Sequence, residues 1–209
     1  MFKAKADISH DVFKQIDEAA RLIKSGKVCV IPTETAYGLA ASIECEDALK
    51  RIYLIKKRPF NKPLLLLISD LEQAPVNMRK IPPYVYTLID KFWPGPLTLL
   101  LPAYEGVSPF LTGDTGKVGV RMSSHDITHE LVKRVGRPIT GTSANLSGRG
   151  LTKTVEEVKA QLKDPSPDFY LDAGEIPPGP PSTILDCTEQ GPLIIRQGAI
   201  SQEDILDAC

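Results

Sequence analysis

Proline sets the first constraint on what this chain can fold into. Eighteen of its 209 residues are proline, well above the ~5% of ordinary usage. They stand mostly between apolar stretches, as in Pro82-Pro83, Pro94-Gly95-Pro96 and the run Pro177-Pro178-Gly179-Pro180-Pro181. Each ring fixes φ and removes an N–H donor, so a helix or central strand stops near it. Short elements joined by stiff loops are therefore expected. The longest aliphatic run, residues 64–68, is strand-sized and far below the ~20 residues that cross a bilayer as a helix.

Between those breaks the apolar spacing resolves into helices and strands. Val12, Ile16, Ala19 and Ile23 recur at helical spacing over residues 9–24, with Ser9 placed to cap and Gly26 to terminate. Residues 47–57, 83–92, 126–135, 155–162 and 202–208 read as further helices. Residues 28–31, 64–69, 97–101, 118–122, 138–142, 169–171, 182–186 and 193–196 read as strands. In 118–122, Val118, Val120 and Met122 alternate with Gly119 and Arg121. The two kinds mix without a strict βαβ rhythm, which predicts an α/β fold, α+β-like in having a mixed sheet. With no internal repeat and no low-complexity linker, residues 1–209 are expected to form a single domain. A chain of this length buries roughly 70% of its unfolded surface, enough for one core without staples. Residues 1–10 lack the apolar core of a signal peptide. Cys29, Cys45, Cys187 and Cys209 are scattered, with no CxxC and no His at ligand spacing, so a reducing, cytoplasmic setting is expected.

The formal net charge of −1 conceals a local excess. Between residues 48 and 69 stand Lys50, Arg51, Lys56, Lys57, Arg58 and Lys62 without an acid, leaving 19 cations against 26 acids elsewhere. One basic segment on an acidic body points to a local anion site. Lys56 and Arg58 would diverge on a continuing helix, but Pro59 unwinds its end, where both can converge on one anion. The plainer alternative is that Lys56 and Lys57 complement the helix dipole and stay solvated. As exposed cations, Lys56 and Arg58 are expected to matter for turnover and little for stability. Residues 143–148, SANLSG, can turn N–H groups, hydroxyls and an amide toward a phosphate or carboxylate, or form an unliganded Asx or Ser turn. Arg121 and Arg196 lie on strands, placed either to grip an anion bidentately or to snorkel off a sheet edge. Thr33 and Thr35 at a strand's end, and Ser182 after the proline run, offer hydroxyls to a ligand or simply make turns. His125 and His129 share a helical face without an HExxH motif and read as surface histidines. No GxxxxGK[ST] loop, GxGxxG, GxSxG elbow or Cys/His nucleophile signature is present. Chemistry that positions anions, as phosphoryl-type transfer does, fits these residues better than covalent catalysis.

Six blocks, PTETAYGLAA (32–41), KKRPFNKPLLLLISD (56–70), FWPGPLTLLLP (92–102), VGVRMSSH (118–125), TSANLSG (142–148) and STILD (182–186), together resemble the YrdC-like family and run in its order along nearly the whole chain. The resemblance implies an open twisted sheet flanked by helices around a basic cavity. It implies a nucleotidyltransferase that makes threonylcarbamoyl-AMP and pyrophosphate from L-threonine, bicarbonate and ATP. That product serves threonylcarbamoyladenosine modification of tRNA, through a separate transferase complex (TsaD with TsaB and TsaE in bacteria). By the same resemblance Lys56 and Arg58, a KxR motif, hold the triphosphate with Lys62, while Ser143 and Asn145, an SxN motif, contact nucleotide phosphate and the reacting centre. These four form the implied catalytic set. Arg196 would contact the nucleotide, Arg121 the threonine carboxylate, and Thr33, Thr35 and Ser182 would seat the amino acid. Mg2+ is expected to arrive with ATP, since no acidic cage for it stands out. The carbamate and the nucleotide are both anionic, so cations must offset their repulsion; no general base stands out. Longer family members carry a His where this chain has Leu67, and a further C-terminal domain. This chain sorts with the shorter type, and residues 177–181 are the expected lid. Two other readings remain: a binder of structured RNA, tRNA or duplex, and a YciO-like paralogue without efficient synthase activity. The charge of −1 and 6% aromatic content speak against the first, and the intact KxR and SxN against the second.

Overall fold

The computed structural model describes residues 8–209, so the signal-peptide reading of residues 1–10 falls mostly outside the described residues. The helices are α1 (His10–Lys24), α2 (Glu46–Lys56), α3 (Tyr84–Phe92), α4 (Pro109–Thr112), α5 (Asp126–Val135), α6 (Val155–Gln161) and α7 (Gln202–Leu206). The strands are β1 (Cys29–Ile31), β2 (Gly38–Ala40), β3 (Leu66–Leu67), β4 (Leu97–Pro102), β5 (Lys117–Arg121), β6 (Ile139–Thr140), β7 (Thr142–Ser143), β8 (Phe169–Tyr170), β9 (Thr183–Asp186) and β10 (Leu193–Arg196). Mixed α/β architecture, as read from the sequence, is what the chain adopts. Among the described residues no helix is long and apolar enough to cross a membrane.

The strands form two hydrogen-bonded sheets where one was expected, in the orders β7-β2-β1-β8 and β10-β9-β4-β5-β3-β6. Both are mixed: β1 runs antiparallel to β2 and parallel to β8, and β4 antiparallel to β5 and parallel to β9. The chain steps between sheets inside the segment read as one strand, 138–142. β6 pairs with β3 in the larger sheet, while β7 pairs with β2 in the smaller. Gly141 makes the step possible. A Cβ there would lie 2.4 Å from Leu67 Cγ and 2.7 Å from its Cδ1, closer than any real contact, so only a hydrogen fits.

Each residue of β1 is buried, because this strand is covered on both faces. Cys29 and Ile31 pack with Ile16 and Ile23 of α1 and Leu131 of α5. Val28 and Val30 belong to the larger core, with Leu49 and Ile52 of α2 and Val120 of β5. Two-sided burial explains why 28–31 reads as a continuous apolar run with no alternation. In α1, Ile16, Ala19, Ala20 and Ile23 form the buried face, and Ser9 caps the helix by accepting from the Val12 N–H at 3.4 Å.

Gly141→Ala is expected to destabilise the protein by about 1–3 kcal/mol through overpacking, read as a lowered urea midpoint at unchanged slope. Adding Leu67→Ala should make the double variant less destabilised than the sum of the two single ones, because the deleted side chain is the one struck. Simple additivity would show that the contact does not control the step.

Candidate active site

Strand ends and loops of both sheets open onto one cavity of about 340 Å³, within the range of small-molecule sites. Leu65, Leu100 and Ile184 supply apolar surface, Arg58, Arg121 and Arg196 supply charge, and no Asp or Glu is among the residues lining it. Thr33, Thr35, Ser143 and Ser182 also reach this wall. Seven of the ten residues singled out from the sequence thus meet in one place.

Arg121 ends β5 and is only 4% exposed. Its Nη2 donates to Glu34 Oε2 at 3.3 Å, and Nη1 and Nη2 each reach Thr35 Oγ1 at 3.4 Å. Burial lowers the pKa of this guanidinium, and the Glu34 charge opposes the shift. Behind Arg121 the same Glu34 oxygen accepts from the Ser123 hydroxyl, whose oxygen accepts the His125 N–H at 3.2 Å. Neither His125 nor His129 is a surface histidine as expected. Both are partly covered with a buried Nδ1, and desolvation lowers the His125 pKa.

Thr33 combines the two roles read for it. Its hydroxyl donates to Ala36 O at 2.7 Å and accepts from the N–H groups of Thr35 and Ala36, making a turn, while its side chain still borders the cavity. Arg196, at the end of β10, donates through Nε and Nη2 to Ser182 O at 3.2 and 2.7 Å and through Nη2 to Ser182 Oγ at 3.1 Å. Desolvation, followed by the like charge of Arg121, lowers its pKa. Arg58 donates through Nε to Lys62 O at 3.2 Å and through Nη2 to Pro63 O at 3.0 Å, stitching its own loop.

Lys56, Lys62 and Asn145 lie off the lining. Lys62 is exposed, and its carbonyl rather than its ammonium serves the site. Lys56 is not an exposed cation at all: it is 1% exposed. Its Nζ donates to Ser143 O, to Asn145 O at 2.9 Å and to Asn145 Oδ1 at 3.2 Å. The cause is the turn that follows. Lys57 takes the left-handed φ of 48° at the end of α2, and the Arg58 N–H closes on Tyr53 O at 2.9 Å. Lys56 thereby reaches behind residues 143–145 while Arg58 reaches the cavity, so the two do not grip one anion side by side. Desolvation, then the Arg58 charge, pulls the Lys56 ammonium down to about 7, and the three acceptors around Nζ work in the opposite direction.

Sequence reasoning does not single out Lys153 or Tyr37. Lys153 Nζ donates to Thr35 O at 2.5 Å and Pro177 O at 3.2 Å, and its carbonyl accepts the Ile176 N–H at 2.8 Å. At the far end of the proline run, Pro181 O accepts the Ala199 N–H at 2.9 Å. The Tyr37 hydroxyl bonds Gly174 O at 2.7 Å and accepts from Ala173 N–H at 3.0 Å. Only the place of Tyr37 in the block at 32–41 marks it; nothing local marks Lys153. Among the described residues no three His, Cys, Asp or Glu side chains converge to hold a metal ion.

A family model, Sua5_yciO_yrdC, described as telomere recombination, matches residues 21–198. Threonylcarbamoyl-AMP synthase of Pyrococcus abyssi is 40% identical over 193 residues, which are 90% of this chain and 55% of that protein. The chain thus spans about half the length of that relative. Threonylcarbamoyl-AMP synthase of Vibrio vulnificus is 35% identical over 187 residues, 88% of this chain and 98% of the relative. In structure, P. abyssi Sua5 complexed with L-threonine superposes with a TM-score of 0.87 at 38% identity, over 94% of this chain and 57% of that one.

Lys56→Met is expected to cost about 1–3 kcal/mol in urea unfolding, because the carbonyls of Ser143 and Asn145 lose their donor. The pH dependence has a sign. With the folded pKa near 7 and the unfolded one near 10.5, the unfolded chain binds more protons between those values, so stability rises with pH in that window. The parent should gain stability from about pH 7 to 9 relative to Lys56→Met. A constant difference between the two melting curves would contradict this.

Proposed function

The chain belongs to the Sua5/YciO/YrdC family, and we propose that it is a threonylcarbamoyl-AMP synthase of nucleotidyltransferase type, acting on L-threonine, bicarbonate and ATP. The observation that carries the reading is the cavity itself: three arginines and a set of hydroxyls on an apolar ground, with no acid among its lining residues. Such a wall suits two anionic reactants held side by side, and the identity to named synthases supports the same substrates.

In this reading Arg121 takes the threonine carboxylate, and Thr33, Thr35 and Ser182 seat the amino acid. Arg58 and Arg196 face the polyphosphate, and the Lys62 carbonyl steadies Arg58. The threonine amine and bicarbonate form a carbamate with loss of water. A carbamate oxygen then attacks the α-phosphorus, the bond to the bridging oxygen breaks, and pyrophosphate leaves with its electron pair. The gain comes from alignment and from cations that offset charge as the anions meet. Ser143 faces phosphate and reacting centre, Asn145 positions Ser143 from behind, and Lys56 acts through both by holding their loop. Mg2+ would travel in with the polyphosphate. The product would pass to a transferase complex of the TsaD, TsaB and TsaE kind that modifies tRNA. Residues 1–209 would act as one cytoplasmic domain. A dedicated binder of structured RNA has less support, because Lys56 is buried behind residues 143–145 and the arginines gather on the wall of one cavity.

Pyrophosphate release from ATP should require both threonine and bicarbonate and prefer threonine to serine. Arg58→Ala and Asn145→Ala are each expected to lower kcat/KM by about 100-fold, measured by the same release. ATP left intact under all conditions would overturn the reading, and unchanged kinetics in Asn145→Ala would remove its role.

A further inference from the structure

The three arginines of the cavity differ in what stands behind them. Arg58 donates to Lys62 O and Pro63 O, and Arg196 to the carbonyl and hydroxyl of Ser182. Those acceptors are neutral, so both guanidinium groups carry their charge into the cavity undiminished. Arg121 alone of the three is paired with a carboxylate, Glu34. Glu34 is absent from the cavity lining and touches Arg121 from behind, anchored by the Ser123 hydroxyl. Its contacts use Nη2, while Thr35 takes Nη1 and Nη2. The Nε–H is buried with no protein partner.

An arginine by itself does not choose between carboxylate and phosphate, since its fork fits both. Discrimination needs an element that penalises the wrong ligand. A guanidinium already paired with a partly buried carboxylate still fits one singly charged carboxylate, but it attracts a polyanion far less. Resting on the synthase reading above, we infer that Glu34 is a specificity-determining residue. It reserves Arg121 for the amino-acid carboxylate and leaves the polyphosphate to Arg58 and Arg196. Glu34 does this by its charge and by holding the guanidinium, without touching substrate.

The test uses Glu34→Gln, which keeps the shape and removes the charge, on the full-length protein. Binding of inorganic phosphate and of threonine is measured separately by calorimetry, and kinetics by pyrophosphate release. Expected are a gain of about tenfold in phosphate affinity, a threonine KM within about threefold of the parent in the absence of phosphate, an ATP KM within twofold of the parent, and phosphate turned into a competitor of threonine. Ser123→Ala, which frees Glu34 from its anchor, should move the same quantities in the same direction by less. A melting temperature near that of the parent shows that each variant is folded, and a simple loss of packing would lower kcat without changing which substrate phosphate opposes. Unchanged phosphate affinity in Glu34→Gln overturns the inference even where threonine-dependent turnover stands. A gain in phosphate affinity in a protein whose parent ignores threonine keeps the charge partition and overturns the synthase reading.

Discussion

A single buried ammonium decides where the loop at 143–147 lies. Lys56 extends from the last turn of α2, and its donors meet oxygens of Ser143 and Asn145, while the Ser147 N–H returns to Lys56 O at 2.9 Å. A cation removed from water is costly unless it is fully bonded, so the helix end and the loop hold each other. Asn145 completes the knot, accepting from the Ser143 hydroxyl at 2.6 Å and donating to Arg149 O at 2.6 Å. Ser143 is left on the cavity wall and Asn145 just behind it. The basic motif therefore supports the neighbouring loop as much as it faces a ligand.

Splitting the strands into two sheets is what sets hydroxyls opposite the charges. Thr33 and Thr35 follow β1 in the smaller sheet, whereas Arg121 and Arg196 end β5 and β10 in the larger. The contact of Arg121 with Thr35 and Glu34 crosses from one sheet to the loop of the other. The cations come from the larger sheet and from the loop after α2, and the smaller sheet sets the hydroxyls of Thr33, Thr35 and Ser143 opposite them. Burial of these cations is tolerable because each donates to a carbonyl, hydroxyl or carboxylate before any ligand arrives.

Most of the elements are legible in the sequence because their apolar faces repeat. α1 shows its buried stripe at Ile16, Ala19 and Ile23, and Val118 and Val120 alternate with Gly119 and Arg121 in the sequence of β5, although the fold buries all four. β2 is not legible: Gly38, Leu39 and Ala40 are all buried, and three residues covered on both faces show no period. The break within 138–142 depends on how Gly141 meets Leu67, a contact between distant parts of the chain that no local pattern encodes. At the site, Arg121, Arg196, Thr33, Thr35 and Ser182 are readable because strand ends carry them to one rim. The direction of Lys56 is not, because the left-handed turn is made by Lys57 and not by the glycine that would have signalled it. Glu34 stands in plain view in the same block as Thr33 and Thr35, yet its partnership needs the fold.

The proline run at 177–181 is tied down at both of its ends, to Lys153 on one side and by Ala199 on the other. Four of its five residues are prolines, so little backbone freedom is left between the ties. Both ends of the stretch expected to act as a lid are thus held in this structure, and of its five residues only Pro181 lines the cavity. The consequence of that hold is kinetic. Little ordering stands between encounter and seating on this side of the cavity, so the entropic toll of capture is small. Arrival is then governed by diffusion and by the field of the exposed cations, and departure by the bonds inside.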